Sequence, residues 1–309
     1  MNIVFMGTPD FAVPSLEALI GKFGVKAVFT QPDKPKGRGK AMSMSPVKKI
    51  ALKHNIEVFQ PKSLRKDKEL IEKLKEMSLD FIVVVAYGQI LSKEVLDIPK
   101  FGCINLHGSL LPKYRGAAPI HYAIMNGETE SGNTTMLMDE GLDTGDMLLK
   151  NVVSIGENTT TAELYDELKE TGAPLLIETL EKLFKGEITP EKQGESQTCY
   201  AGMLNKEMAK INWKQPGRCI HNFVRGLNSF PMAHTTYKDI SMKVIETKVM
   251  DTQSKLEPGT IIEVSNDGIV VATEDRNLLI TKIQFPNKRA MKVKEYIRGN
   301  DIQKGIVLQ

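Results

Sequence analysis

The chain has 309 residues, 41% of them hydrophobic, and a formal net charge of +3. That length and apolar fraction allow a sizeable core in two domains, and no apolar run reaches the roughly 20 residues that a membrane-spanning helix needs. The cysteines, Cys103, Cys199 and Cys219, are odd in number, widely spaced and form no CxxC pair. This argues against a disulfide framework or a structural zinc and for a reduced, cytoplasmic setting.

The first residues, Met1-Asn2-Ile3-Val4-Phe5-Met6-Gly7, lack the basic lead and long apolar stretch of a signal peptide. They read as a first strand entering a glycine turn. Further strands are expected at 25–30, at 81–87, and at 103–106. The 81–87 run, FIVVVAY, is continuously apolar, as a central parallel strand covered on both faces requires. Between them, Ser45-Pro46 ahead of Val47, Ile50 and Ala51 supplies an N-cap and a proline at the first helical position. Residues 67–77 carry Leu70, Ile71, Leu74 and Met77 at helical spacing. A longer helical region over about 161–185 is expected to break at Gly172 and Pro174. This alternation predicts an α/β fold, a doubly wound, mostly parallel, Rossmann-like sheet.

The pattern changes after about residue 203. A helix near 217–227 precedes short β-runs at 242–249, 259–264, 268–273 and 278–283, with Asn266-Asp267-Gly268 as one of the turns. Such spacing predicts a small β-barrel, OB-like, at the C-terminal end. Polar residues 186–198 read as linker, which sets the expected domains at 1–189 and 206–309 with 190–205 between them. Residues 206–309 hold 17 Lys/Arg and 11 Asp/Glu, hence +6, and the rest holds 24 and 27, hence −3. A basic domain beside an acidic one fits a polyanion partner, although ordinary surface charge gives the same count.

The residues richest in chemistry run Asn105-Leu106-His107-Gly108-Ser109-Leu110-Leu111-Pro112. Asn105 and His107 stand two apart at the end of a predicted strand, so period two puts both side chains on one face. The carboxyl edge of a parallel sheet is where such folds bind ligands. An amide donor beside an imidazole can polarise a carbonyl and move a proton. The pair alone also fits a strand-end histidine satisfied by backbone groups. A second stretch, Met138-Asp139-Glu140-Gly141-Leu142-Asp143-Thr144-Gly145-Asp146, packs acids among glycines. It is an acidic surface turn or a loop delivering one carboxylate to a histidine; its spacing does not fit an EF-hand. The N-terminal turn, Gly7-Thr8-Pro9-Asp10-Phe11-Ala12, lacks the GxGxxG of dinucleotide-binding proteins. From residue 34 to 49 there are six Lys/Arg and no acid, with glycines at 37 and 39. Such a run is a solvated loop or a phosphate contact.

Taken together, Asn105-x-His107, the SLLP of 109–112 and Asp143 within Gly-Leu-Asp-Thr-Gly-Asp resemble the active-site pattern of the folate-dependent formyltransferase family. So do Met6-Gly7-Thr8-Pro9-Asp10-Phe11-Ala12, Thr30-Gln31-Pro32-Asp33, Ala86-Tyr87-Gly88 and Arg115-Gly116-Ala117-Ala118-Pro119-Ile120, which place the chain near the branch acting on aminoacyl-tRNA. The departure lies at Asn228-Ser229-Phe230-Pro231, where the family more often has a proline and a tryptophan between the asparagine and the last proline. The resemblance implies formyl transfer from 10-formyltetrahydrofolate to the α-amine of methionine on initiator methionyl-tRNA, releasing tetrahydrofolate, for translation initiation. Its alternative is transfer to a small amine such as glycinamide ribonucleotide or an amino sugar. It implies Asn105, His107 and Asp143 as catalytic residues, and Ser109, Leu110, Leu111, Pro112, Tyr87, Gly88, Ile90 and Leu91 around the folate. It implies Lys36, Arg38 and Lys40 against tRNA. No metal, no membrane and a monomer are expected.

Overall fold

The computed structural model describes residues 1–36, 41–194 and 198–309. The chain opens with β1 (Ile3–Gly7), α1 (Val13–Lys22) and β2 (Ala27–Phe29). A short antiparallel hairpin follows, β3 (Lys34–Lys36) with β4 (Ala41–Ser43). Next come α2 (Pro46–Lys53), β5 (Glu57–Phe59), α3 (Lys68–Glu76), β6 (Phe81–Val85), α4 (Lys93–Leu96), β7 (Cys103–His107) and β8 (Arg115–Gly116). Then α5 (Pro119–Met125), β9 (Glu130–Leu137), β10 (Met147–Ser154), α6 (Thr161–Phe184) and β11 (Tyr200–Ala201) precede the C-terminal elements. The chain divides into two compact units: residues 1–116, 131–153 and 165–201 form the first, and 117–130, 154–164 and 202–309 the second.

The first unit is built on a seven-stranded sheet in the order β10-β9-β7-β6-β1-β2-β5. The strands from β7 to β5 along that order run parallel, and β9 joins β7 antiparallel. This is the expected mostly parallel sheet, with the chain order reversing at β1. Both β1 (IVFMG) and β6 (FIVVV) are buried at every residue, which is why neither shows an alternating pattern. The helix starts follow their sequence signals. Ser45 Oγ accepts from Lys48 N at 3.0 Å ahead of Pro46, and Asp67 accepts from Leu70 N at 3.2 Å. Helix α3 buries Ile71 and Leu74 in a core shared with Leu64, Leu79 and Ile82.

One expectation is corrected. The helix α6 does not break at Gly172 and Pro174 but runs from Thr161 to Phe184 with Pro174 inside it. An interior proline costs about 3 kcal/mol. Leu168, Leu176 and Leu180, each fully buried on this helix, contribute roughly 1.5–3 kcal/mol apiece and outweigh that cost. Gly172 serves close packing: a Cβ there would meet the Leu106 side chain of β7 at 2.7 Å.

In the second unit, α7 (Gly217–Gly226) is followed by β12 (His234–Tyr237), β13 (Ile240–Val249), β14 (Ile261–Ser265), β15 (Gly268–Val271), β16 (Leu278–Gln284), β17 (Met291–Lys292) and α8 (Val293–Tyr296). The strands form a curled sheet ordered β12-β13-β16-β15-β14, with β17 on β16 and neighbouring strands antiparallel. Ser265 pairs with Gly268 across the predicted Asn266-Asp267 turn. The last residues of the chain lace the two edges together. Gln309 exchanges backbone hydrogen bonds with Thr236 of β12, while Ile306 O accepts from Ile261 N of β14. Trp213, Leu227, Ile269, Ile280 and Ile283 fill the core beneath. Among the described residues no helix is long and apolar enough to cross a membrane.

Candidate active site

Strand β7 ends at the carboxyl edge of the sheet and carries both Asn105 and His107, which are 8% and 6% exposed. The His107 ring is held from two sides. Its Nε2 lies 2.9 Å from the Tyr114 carbonyl oxygen, and its Nδ1 lies 3.7 Å from Asp143 Oδ2. A carbonyl only accepts, so Nε2 carries a hydrogen and the neutral ring leaves its lone pair on Nδ1. Asn105 Nδ2 donates to the other carboxylate oxygen, Asp143 Oδ1, at 3.4 Å. The Gly116 N–H donates to Asp143 Oδ2 at 2.8 Å. Asp143 therefore stands between the amide, the imidazole and a backbone donor, from a left-handed backbone conformation (φ 54°) that aspartate tolerates better than most residues. Gly116 is itself constrained: its φ is +111°, and a Cβ there would meet Ala201 O at 2.7 Å.

This arrangement can do two things at once. The amide of Asn105 has a second N–H for a developing oxyanion, and Nδ1 of His107 can accept a proton whose charge the neighbouring carboxylate balances. Among the described residues no group of three or more His, Cys, Asp or Glu side chains is placed to hold a metal ion.

The other sequence-predicted residues fall into three settings. Ser109 is fully buried and donates from Oγ to Lys113 O at 2.7 Å, while Thr134 Oγ1 of β9 donates to Ser109 O at 2.7 Å and accepts from Leu111 N at 3.1 Å. This pins the 109–113 turn beside His107, with Leu111 buried and Leu110 and Pro112 half-buried. Beyond β6, Tyr87 and Leu91 point their side chains into the core, and Ile90 is 70% exposed. The carbonyls of Tyr87 and Gly88 each accept from Gln31 Nε2 at 3.2 Å. Lys36 ends β3; Arg38 and Lys40 lie outside the described residues. The base of that hairpin is clamped by Lys48, whose Nζ lies 2.7 Å from both Asp33 Oδ2 and Gln60 Oε1. The Lys48 hydrogen bond holds the Asp33 carboxyl below the usual carboxylate range.

Sequence reading passes over three contributors. Gln31 braces the turn after β6, the Tyr114 carbonyl fixes the His107 tautomer, and Gln193 Nε2 donates to Asp143 O at 2.8 Å and Gly145 O at 2.7 Å. Gln193 sits in a stretch whose polar composition reads as linker, and a backbone carbonyl carries no side-chain signal at all.

Sheet topology and site define an α/β domain that gathers a histidine, an asparagine and an aspartate at the carboxyl edge of its sheet, in a chain that also holds an antiparallel β domain. The chain belongs to the formyltransferase family: residues 1–180 match the formyl transferase model and residues 203–301 the formyl transferase C-terminal domain. It is 62% identical to a methionyl-tRNA formyltransferase of Clostridium tetani and 61% identical to one of Clostridium perfringens, each over 100% of both chains. Its fold also matches that of WlaRD, a sugar 3N-formyl transferase solved in the presence of dTDP and 5-N-formyl-THF. That match has a TM-score of 0.69 at 21% identity and covers 94% of this chain and 99% of the other.

Proposed function

We propose that this protein transfers the formyl group of 10-formyltetrahydrofolate to the α-amine of methionine on initiator methionyl-tRNA. The observation that carries the reading is the Asp143 carboxylate within 3.4 Å of Asn105 and 3.7 Å of His107 at the carboxyl end of β7. The identity of 62% to a relative named for this reaction supports the acceptor. In the step, the amine lone pair forms a bond to the formyl carbon and the carbonyl electrons move to oxygen. Asn105 donates to that oxygen, a contribution of about 3 kcal/mol for an oxyanion donor of this kind. His107 Nδ1 takes the proton the nitrogen sheds, and Asp143 balances the imidazolium. The electrons then re-form the carbonyl, the bond to the donor nitrogen breaks, and the proton passes to that nitrogen to leave tetrahydrofolate.

The donor is assigned to the 109–112 turn and to the turn carrying Tyr87, Gly88, Ile90 and Leu91, where the exposed Ile90 supplies apolar surface and the buried Tyr87 and Leu91 support the backbone. The tRNA is assigned to Lys36, Arg38 and Lys40 and to the basic residues within 206–309. The protein is assigned to the cytoplasm, as a monomer. The test is formylation of Met-tRNA by purified protein with 10-formyltetrahydrofolate, set against glycinamide ribonucleotide and a nucleotide-linked amino sugar. Met-tRNA is expected to be the preferred acceptor by orders of magnitude in kcat/KM. Preferential formylation of either small amine overturns this reading.

A further inference from the structure

Gln193 belongs to no helix or strand, yet its amide is used completely by the site. Its Nε2 ties two carbonyls of the Asp143 loop, those of Asp143 and Gly145, at 2.8 and 2.7 Å. Its Oε1 accepts from Nε of the buried Arg115 at 2.8 Å. Arg115 immediately precedes Gly116, whose N–H holds the Asp143 carboxylate at 2.8 Å. The ring thus closes: Gln193 fixes the main chain of Asp143, and through Arg115 it fixes the residue next to the donor that fixes the Asp143 side chain.

A second contact from the same part of the chain acts on the other side of His107. Cys199 Sγ accepts from Tyr114 N at 3.2 Å, and Cys199 O accepts from Arg115 N at 3.0 Å. The Tyr114 carbonyl is the partner of His107 Nε2. Glu191 anchors the start of this stretch by exchanging both backbone hydrogen bonds with Met147. Asp143 needs such a brace. Its left-handed backbone is unfavourable for a residue with a side chain, and a carboxylate 3.7 Å from the imidazole leaves little tolerance for drift.

We infer that Gln193 is a positioning residue for Asp143, coupling the Asp143 loop to the Arg115–Gly116 strand so that the carboxylate faces His107. The inference rests on the proposed function only for its kinetic consequence. A glutamine is suited to the task because one planar amide offers two N–H donors and one acceptor; glutamate keeps the acceptor and loses both donors.

The experiment is a double-mutant cycle joined to amide exchange. Gln193→Ala and Gln193→Glu should each lower kcat for Met-tRNA formylation by roughly tenfold or more, with both KM values within about twofold of wild type. In an Asp143→Ala background, Gln193→Ala should cost no more than about twofold further, because its effect passes through Asp143. Independently of activity, the Gly116 amide should exchange faster in Gln193→Ala, as it should in Asp143→Ala. A kcat within twofold of wild type in both Gln193 variants overturns the inference, and so does an equal loss with and without Asp143. If wild-type protein fails to formylate Met-tRNA, the functional reading falls and the Gly116 exchange rate alone decides: faster exchange upholds the brace, unchanged exchange removes it.

Discussion

His107 shows how much a single ring can be told by its neighbours. The Tyr114 carbonyl at 2.9 Å commits Nε2 to carrying a hydrogen, so proton traffic is confined to Nδ1, the nitrogen facing Asp143. Asn105 is aligned by the same carboxylate, which leaves one of its two N–H groups for an incoming oxygen. In the reaction proposed above the two side chains contribute to one transition state, and removing either should cost most of it. His107→Ala and Asn105→Ala should each reduce kcat for formylation by at least about 100-fold with little change in melting temperature. Steady-state kinetics on variants checked by thermal unfolding measure this, and near-normal turnover in a folded His107→Ala protein would falsify the assignment. The pair itself is legible in the sequence, because strand periodicity places residues two apart on one face whatever the rest of the fold does. Gln193 is not legible, since its partners Arg115 and Asp143 are brought to it only by the folded chain.

At the level of elements, legibility follows how local the determinants are. Strand β6 is visible as an unbroken apolar run, and α2 and α3 are visible through caps that act within four residues. Strand β9, Glu130–Leu137, is not, because most of its buried positions, Ser131, Asn133, Thr134 and Thr135, are polar. Thr134 is satisfied by Ser109 and Leu111, Thr135 by Thr179 and Leu149, and the Asn133 Nδ2 donor by Asn151 and Leu168, so its burial makes sense only in the folded chain. Helix α7 poses the same problem and yields a test. Its His221 is buried, with Nε2 donating to Glu157 O and Nδ1 accepting from Thr247 Oγ1, both at 3.0 Å. Burial lowers its pKa from 6.5, and the nearby Arg225 and Arg218 add to the effect, while the hydrogen bond to Glu157 opposes it. A histidine with a depressed native pKa stabilises the fold fully above its unfolded value, and that stability is lost as pH falls from about 6.5 through the native value. Urea unfolding at pH 7.5 and 5.5 should show a loss in wild type that is smaller in His221→Gln. An equal pH dependence in the two proteins rules out His221 as its source.

For the molecule as a whole the informative quantity is the unequal charge: +6 over residues 206–309 and −3 over the rest, with six further Lys/Arg and no acid in residues 34–49 of the otherwise acidic part. A near-neutral total hides this, yet a polyanion responds to the local field rather than to the sum. Contacts between Lys/Arg and phosphates release counterions, so the logarithm of affinity falls by roughly 0.7–0.9 per phosphate for each logarithmic unit of salt. With about four such contacts, raising salt from about 50 to about 200 mM should weaken tRNA binding on the order of 100-fold. The donor, proposed to sit on backbone groups and apolar surface, should be far less sensitive. Arg38 lies in the most basic part of the 34–49 stretch, flanked by Gly37 and Gly39, so Arg38→Ala should lower both tRNA affinity and the salt slope, the latter by about one. Folate binding should be unchanged, as should formylation of any small amine the enzyme accepts, because Arg38 is assigned to recognition of the acceptor and not to the chemical step. The measurement is tRNA affinity and formylation rate for wild type and Arg38→Ala at the two salt concentrations, with folate affinity as control. If both tRNA parameters match wild type, the 34–49 basic run is surface charge alone and recognition must reside in residues 206–309.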